Sequence, residues 1–140
     1  MIHYSSNASA AQSVEAEIRS HGGSSIVLQA DLSDPSSIGP LFERAVSHFG
    51  HLDIVVSNAG IECFGHISEI TPADFDRVFA LNTRGQLFVA QQAYRHVVDG
   101  GRLVLMGSIS AQSRGVKNHA IYQGSKAAIE AFARSLAVGA

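Results

Sequence analysis

The sequence predicts an α/β protein, a doubly wound parallel sheet with helices on both faces. Three observations predict it. Strand-like and helix-like patterns alternate along the 140 residues, as in successive βαβ units. The strand segments are near-continuous Val/Ile/Leu runs, the pattern of strands buried on both faces. The helical segments are roughly 10–15 residues long, the length of a right-handed crossover between parallel strands.

Each element has a local reason. Ile2-His3-Tyr4 is a short strand end, and Ser5-Ser6-Asn7 is its polar turn. Residues 9–21 read as a helix, with Val14 and Ile18 spaced i, i+4 and Gly22-Gly23 as a C-cap. Ser25-Ile26-Val27-Leu28-Gln29 is a strand-length apolar run. Asp34-Pro35 starts a helix, Asp as N-cap and Pro at the first helical position. Behind it Ile38, Leu41, Phe42, Ala45, Val46 and Phe49 form an amphipathic stripe that Gly50 ends. Leu52-Asp53-Ile54-Val55-Val56 is the next strand and Ser57-Asn58-Ala59-Gly60 its turn. Thr71-Pro72 opens a long helix containing Phe75, Val78, Phe79, Leu81, Asn82, Leu87, Phe88 and Ala93. Arg102-Leu103-Val104-Leu105-Met106 is another buried strand, ending in Gly107-Ser108-Ile109-Ser110. A polar loop leads to a last helix from about His119 to the C-terminus. In such a sheet, sites lie at the carboxyl ends of the strands.

Composition narrows the function. The chain is 46% hydrophobic and 16% charged with net charge −2, so it is neither a disordered tail nor a phosphate-neutralising surface. Nucleic acid is therefore not an expected partner. No apolar run approaches the roughly 18 residues of a membrane span. Cys63, the single cysteine, has no intramolecular partner, which fits an intracellular, cytoplasmic chain. The seven histidines form no metal-ligand spacing, so no metal is expected.

Four features at strand ends or on helices could carry chemistry. Tyr122 and Lys126 are four apart, so they share a helix face. A nearby ammonium favours the phenolate of a tyrosine that otherwise titrates near ~10, and such a pair can exchange a proton with a carbonyl oxygen. Ser108 closes a strand, where its hydroxyl can donate to a carbonyl. Asn82 sits inside a helix despite poor propensity, where it can bend the helix and present polar groups to a water. Ser57-Asn58-Ala59-Gly60 lets backbone approach a ligand. Each feature alone also has an ordinary explanation: a plain helix pair, a turn serine, an exposed helix asparagine, a tight turn.

Together, and in this order, they resemble the short-chain dehydrogenase/reductase family. Asp31-Leu32, Ser57-Asn58-Ala59-Gly60, Asn82, Ser108 and Tyr122-Gln123-Gly124-Ser125-Lys126 carry the resemblance. The stretches Phe64-Gly65-His66, Phe75-Asp76-Arg77-Val78-Phe79, Leu81-Asn82-Thr83-Arg84-Gly85-Gln86 and Leu105-Met106-Gly107-Ser108-Ile109 are similar to fungal polyhydroxynaphthalene reductases and related polyketide ketoreductases. The resemblance implies a Rossmann-type domain and an NADPH-dependent reduction of a ketone on a small aromatic polyketide-like substrate. It implies Tyr122 as proton donor, Lys126 lowering its pKa and bonding the nicotinamide ribose, Ser108 polarising the carbonyl, and Asn82 holding a relay water. Asp31, with Leu32, would meet the adenine, and Asn58, Ala59 and Gly60 would line the cofactor. Ile109, beside Ser108, is the remaining substrate candidate.

Cofactor choice has one clue in the residues. An acid that would bind the ribose 2′-hydroxyl of NAD is absent from Tyr4-Ser5-Ser6-Asn7. Its hydroxyls and amide suit a 2′-phosphate, though Ser and Asn are also common in ordinary polar turns, and the resemblance implies NADPH over NAD. No G-x-G-x-x-G run occurs, and the resemblance places the first, central strand and its glycine-rich turn upstream of Met1 and the later strands beyond Ala140. Residues 1–140 then form a single, incomplete domain whose sheet is split. Homo-oligomers would form through the long helix (72–98) and the last helix (119–138). The alternative is a truncated, catalytically inactive homologue that associates with a full-length reductase.

Overall fold

A computed structural model of the chain describes residues 1–138. Among them the elements run β1 (Ile2–Tyr4), α1 (Ala8–Ser20), β2 (Val27–Gln29), α2 (Ile38–Phe49), β3 (Leu52–Ser57), α3 (Pro72–Phe79), α4 (Gln86–His96), β4 (Val97–Leu105) and α5 (Ala120–Ala137). The alternation predicted an α/β fold, and this is one. Gly139 and Ala140, the last residues of the expected C-terminal helix, lie outside the described residues.

Both strand pairings are parallel. β1 pairs with β2, Ile2 opposite Val27 and Tyr4 opposite Gln29. β3 pairs with β4, Ile54 opposite Arg102 and Val56 opposite Val104. No hydrogen-bonded strand joins the two pairs among the described residues, in keeping with the split sheet expected. Between them lies a cavity of about 420 Å³ whose lining includes Met1, His3, Leu32, Leu52, Ile54 and Val56. A helical layer holds the pairs together instead. Leu28, Ala30 and Leu32 meet Ile38, Leu41 and Phe42 of α2 and Val89 and Ala93 of α4, with Val55 and Leu103 packed against them. Each such side chain contributes about 1.5–3 kcal/mol by leaving water.

The first half of the expected α2 stripe is fully buried, Ile38 through Ala45. Its start differs from the expectation. Asp34 accepts from the Ser36 N–H, but Pro35–Ser37 form a 3-10 turn before the α-helix begins. The second strand is shorter than Ser25–Gln29, and the fourth runs from Val97 rather than Arg102. A register irregularity between Leu52 and Ile54 absorbs the extra residues of β4.

Two expectations are corrected. β3 and β4 are not buried on both faces: Ile54 is 65% and Val56 57% exposed. Val55 and Leu103 face the core, so the residues next to them, Ile54, Val56 and Val104, face away, and no element covers that side among the described residues. The long helix over 72–98 is interrupted. Thr71 and Asp74 form a capping box at the start of α3, but Ala80–Gly85 is a π-helical turn. A Cβ on Gly85 would lie 2.5 Å from the Leu32 carbonyl oxygen, so only glycine lets this turn press against the Leu32 backbone. The helix then ends at His96, and Val97 already pairs with Leu52. Phe75 is 47% exposed and stacks on Phe79 with centroids 4.1 Å apart. No helix among the described residues is long and apolar enough to cross a membrane.

Candidate active site

The π-helical turn is what delivers Asn82. A widened turn re-aims its side chain inward, and Asn82 is 0% exposed. Its Oδ1 accepts from the Ile61 N–H at 2.8 Å, and its Nδ2 donates to the Ile61 carbonyl at 2.8 Å and to Ser125 Oγ at 3.1 Å. The exposed-asparagine explanation is thereby excluded. The side chain fixes the loop after β3 and ties it to α5.

Gly60 closes the same corner. A Cβ there would come within 3.2 Å of both Asn82 Oδ1 and Lys126 Nζ. The Ser57–Gly60 turn therefore lies against the two polar side chains that the sequence singled out, Asn82 and Lys126. Lys126 is 3% exposed, and burial holds its ammonium below the ordinary lysine range. Its Nζ donates to the Met106 carbonyl at 2.8 Å, at the end of β4. It also lies 5.8 Å from the centroid of the Tyr122 ring, close enough for a cation–π attraction. The Tyr122 hydroxyl has no protein hydrogen-bond partner among the described residues, so it is free to meet a ligand.

Tyr122 is held by its ring. His119 stacks on it with centroids 4.5 Å apart and planes 12° apart, and Phe64 stacks on the other side of the ladder against His119 at 4.1 Å and 7°. The Gly65 N–H donates to the Asn118 carbonyl at 2.9 Å, tying the Phe64 loop to the start of α5. His119 is 5% exposed, and neither ring nitrogen has a hydrogen-bond partner. The nearest charge is the Glu62 carboxylate, with Oε1 3.9 Å from Nε2.

Ser108 caps the short 3-10 turn Ile109–Ala111. Its Oγ lies 2.8 Å from Ser110 Oγ and accepts from the Ser110 N–H at 3.2 Å. That turn is tied to α5, because Gln123 Nε2 donates to the Ser110 carbonyl. Ile109 is exposed. The adenine candidates sit on the other strand pair. Asp31 Oδ1 accepts from the Ser33 hydroxyl at 2.7 Å and the Ser33 N–H at 2.9 Å, which holds its carboxyl below the usual range. Leu32 is buried in the core. Tyr4 ends β1, and Ser5, Ser6 and Asn7 lead into α1, whose first turn Asn7 caps through Ala10 N at 3.0 Å. The N-terminus of α1 thus lies beside three polar residues, a favourable setting for an anion. No group of three His, Cys, Asp or Glu side chains arranged for a metal occurs among the described residues.

Sequence reasoning missed several members of this corner. Phe64 entered only as part of a family-like stretch and His119 only as the start of the last helix, and a ring stack between partners 55 residues apart leaves no local signal. Gln86 read as an ordinary helix residue, yet it is 2% exposed. Ser125 lay between the two chosen residues of its helix and was passed over.

Comparison with known proteins gives the following. A family profile described as enoyl-(acyl carrier protein) reductase, of the short-chain alcohol dehydrogenase type, matches residues 1–140. A versicolorin reductase of Emericella nidulans is 51% identical over 138 residues, 99% of this chain and 52% of that protein. A tetrahydroxynaphthalene reductase of Pestalotiopsis fici is 53% identical over 138 residues, covering 99% and 50%. Among solved structures, a short-chain dehydrogenase of Burkholderia cenocepacia in complex with NADP superposes with a TM-score of 0.94 at 36% identity, over 99% of this chain and 56% of that one. The chain spans about half the length of the curated relatives it matches.

Proposed function

The chain belongs to the short-chain dehydrogenase/reductase family, and from that premise we propose that it carries the proton-transfer machinery of an NADPH-dependent reductase acting on a ketone of an aromatic, polyketide-like substrate. The observation that carries the reading is the convergence of Gly60, Asn82 and Lys126 beside the ring of Tyr122. The substrate class follows the polyketide reductases to which the chain is about 50% identical, and the cofactor follows the NADP-bound neighbour.

The residues present fit the two ends of such a dinucleotide. Ser5, Ser6 and the α1 N-terminus suit a 2′-phosphate, with Asp31 nearby in the same strand pair for the adenine. At the other end, the small Gly60 brings the backbone of the turn close to Lys126, beside Tyr122, where the ribose end would lie. When bound, the cofactor supplies the hydride that the carbonyl carbon accepts. Tyr122 donates its hydroxyl proton to the carbonyl oxygen. Lys126, a buried cation beside the ring, stabilises the phenolate left behind. Ser108 orients the carbonyl by a hydrogen bond. Asn82 acts through the backbone: its amide is committed to Ile61 and Ser125, so it keeps the cofactor-facing loop in register with α5.

NADPH titration of the purified chain by fluorescence, with a ketone-reduction assay on a polyhydroxynaphthalene-type substrate, tests the reading. Saturable binding with turnover is expected. Tyr122→Phe should lower turnover about 10²–10⁴-fold, the usual contribution of a positioned general acid, and leave binding in place. A second reading, a relative that keeps these side chains but does not hold the dinucleotide, is favoured by the cavity between the strand pairs. A folded chain that does not bind NADPH would decide for it.

A further inference from the structure

One buried polar side chain has no part in the chemistry above. Gln86 opens α4 and is 2% exposed, an unusual place for a glutamine. Its amide reaches three backbone groups. Nε2 donates to the Asn82 carbonyl at 3.2 Å and to the Met106 carbonyl at 3.3 Å, and Oε1 accepts from the Met106 N–H at 3.2 Å. A single side chain therefore holds both main-chain groups of Met106. The same Met106 carbonyl receives the Lys126 ammonium at 2.8 Å, and the Met106 N–H also lies 3.2 Å from the Ser57 carbonyl. Met106 is the junction at which β3, β4, α4 and α5 meet, and Gln86 is its clamp.

The physical consequence concerns Lys126. A planar amide bonded on both sides of Met106 fixes the direction of its carbonyl. The Gln86 amide and the Lys126 ammonium share that one carbonyl oxygen, so the clamp acts by orienting the carbonyl. A carbonyl aimed at an ammonium favours the charged form and opposes the effect of burial. We propose that Gln86 is a positioning residue for Lys126: by clamping Met106 it aims the Met106 carbonyl at the ammonium and sets both the place and the charge state of the lysine beside Tyr122. The inference rests on the reading that Lys126 serves Tyr122, but its test does not require turnover.

Lys117 and Lys126 are the two lysines of the chain, so a sample labelled with 13C-lysine gives two side-chain NMR signals, one an internal control. Three variants are titrated alongside the parent chain. Gln86→Met keeps the length and removes every polar contact; Lys126 should titrate at lower pH than in the parent while Lys117 stays put. Gln86→Glu keeps the acceptor for the Met106 N–H and brings a carboxylate near the ammonium, so Lys126 should titrate at higher pH. Val89→Ala, one turn along α4 in the core, should loosen the helix without moving either signal. Opposite responses at one position are not what general loosening produces. No shift at Lys126, a shift of the wrong sign, or an equal shift in Val89→Ala overturns the proposal. Should Gln86→Met not fold, the sign seen in Gln86→Glu decides. Where the chain turns over substrate, Gln86→Met should lower kcat about tenfold, roughly one hydrogen bond's worth, with KM unchanged. A chain without turnover whose Lys126 nevertheless moves as expected sinks the reductase reading and leaves the clamp standing; the converse result does the reverse.

Discussion

Asn82→Ala is the most direct test of how the site is held. The amide makes three hydrogen bonds, two to the Ile61 backbone and one to Ser125 Oγ. At about 1 kcal/mol net for each, their removal costs about 3 kcal/mol. Two features of the structure bound the figure. Ile61 is only half-buried, so water recovers part of its loss. Ser125 is fully buried but still donates to the Tyr122 carbonyl at 2.7 Å, so its hydroxyl is not orphaned. Against this, the alanine leaves a void at a 0%-exposed position. A loss of about 3 kcal/mol is a large part of the 5–15 kcal/mol that holds a typical domain. In urea, with a slope of about 1–3 kcal/mol/M, the midpoint followed by far-UV circular dichroism should fall by about 1–3 M. A midpoint within about 0.2 M of the parent for Asn82→Ala would refute the argument that this side chain holds the loop.

Two further outcomes follow from the same corner. Burial depresses Lys126, so its unfavourable contribution is fully present at neutral pH and is relieved as pH rises from its folded value toward the unfolded value near ~10.4; urea midpoints of the parent should rise over that alkaline window relative to Lys126→Met, and parallel curves would contradict the sign. The Phe64–His119–Tyr122 ladder contains two stacked contacts, each worth about 0.5–1.5 kcal/mol beyond area, so thermal unfolding should show His119→Ala losing about 1–3 kcal/mol and His119→Phe recovering most of it; a phenylalanine no better than alanine would show that the ring nitrogens facing Glu62, and not the stack, are what the position requires.

The sequence made the order of elements legible because each carries its own punctuation. Asp34-Pro35 and Thr71-Pro72 mark helix starts, and each acts as a cap or first-turn residue in the structure. Tyr122 and Lys126 were legible because helical spacing alone puts them on one face. The bare face of β3 and β4 was not, because a valine run reads the same whether or not a layer covers it. The interruption at Ala80–Gly85 was half legible: Asn82 was out of place in a helix, but apolar spacing tolerates one widened turn, and the reason for Gly85 lies in the Leu32 backbone, 53 residues earlier. Gln86 and His119 were illegible for one cause. Their partners are main-chain groups or ring faces from distant segments, and neither leaves a pattern in the residue types around them.

The geometry also places the residues proposed for chemistry apart from those proposed for the adenine end. Gly60, Asn82, Met106, Tyr122 and Lys126 all belong to β3, β4 and the segments that pack on them, and their mutual bonds involve no residue before Ser57. Asp31, Leu32 and the Tyr4–Asn7 turn belong to the other strand pair. What joins the two is the α2–α4 core and a narrow seam, where Gly85 meets the Leu32 backbone and Arg84 donates to the Ser33 carbonyl at 2.7 Å. That seam lies in the same π-helical turn that aims Asn82. A ligand that orders Asp31–Ser33 would therefore bear on the Asn82 loop through two residues of one turn, and the strain would be shared with the clamp at Gln86, which bonds the Asn82 carbonyl. The widened turn is thus more than a local defect: beside the α2–α4 core, it is a second place where the Asp31–Ser33 segment meets the corner around Asn82.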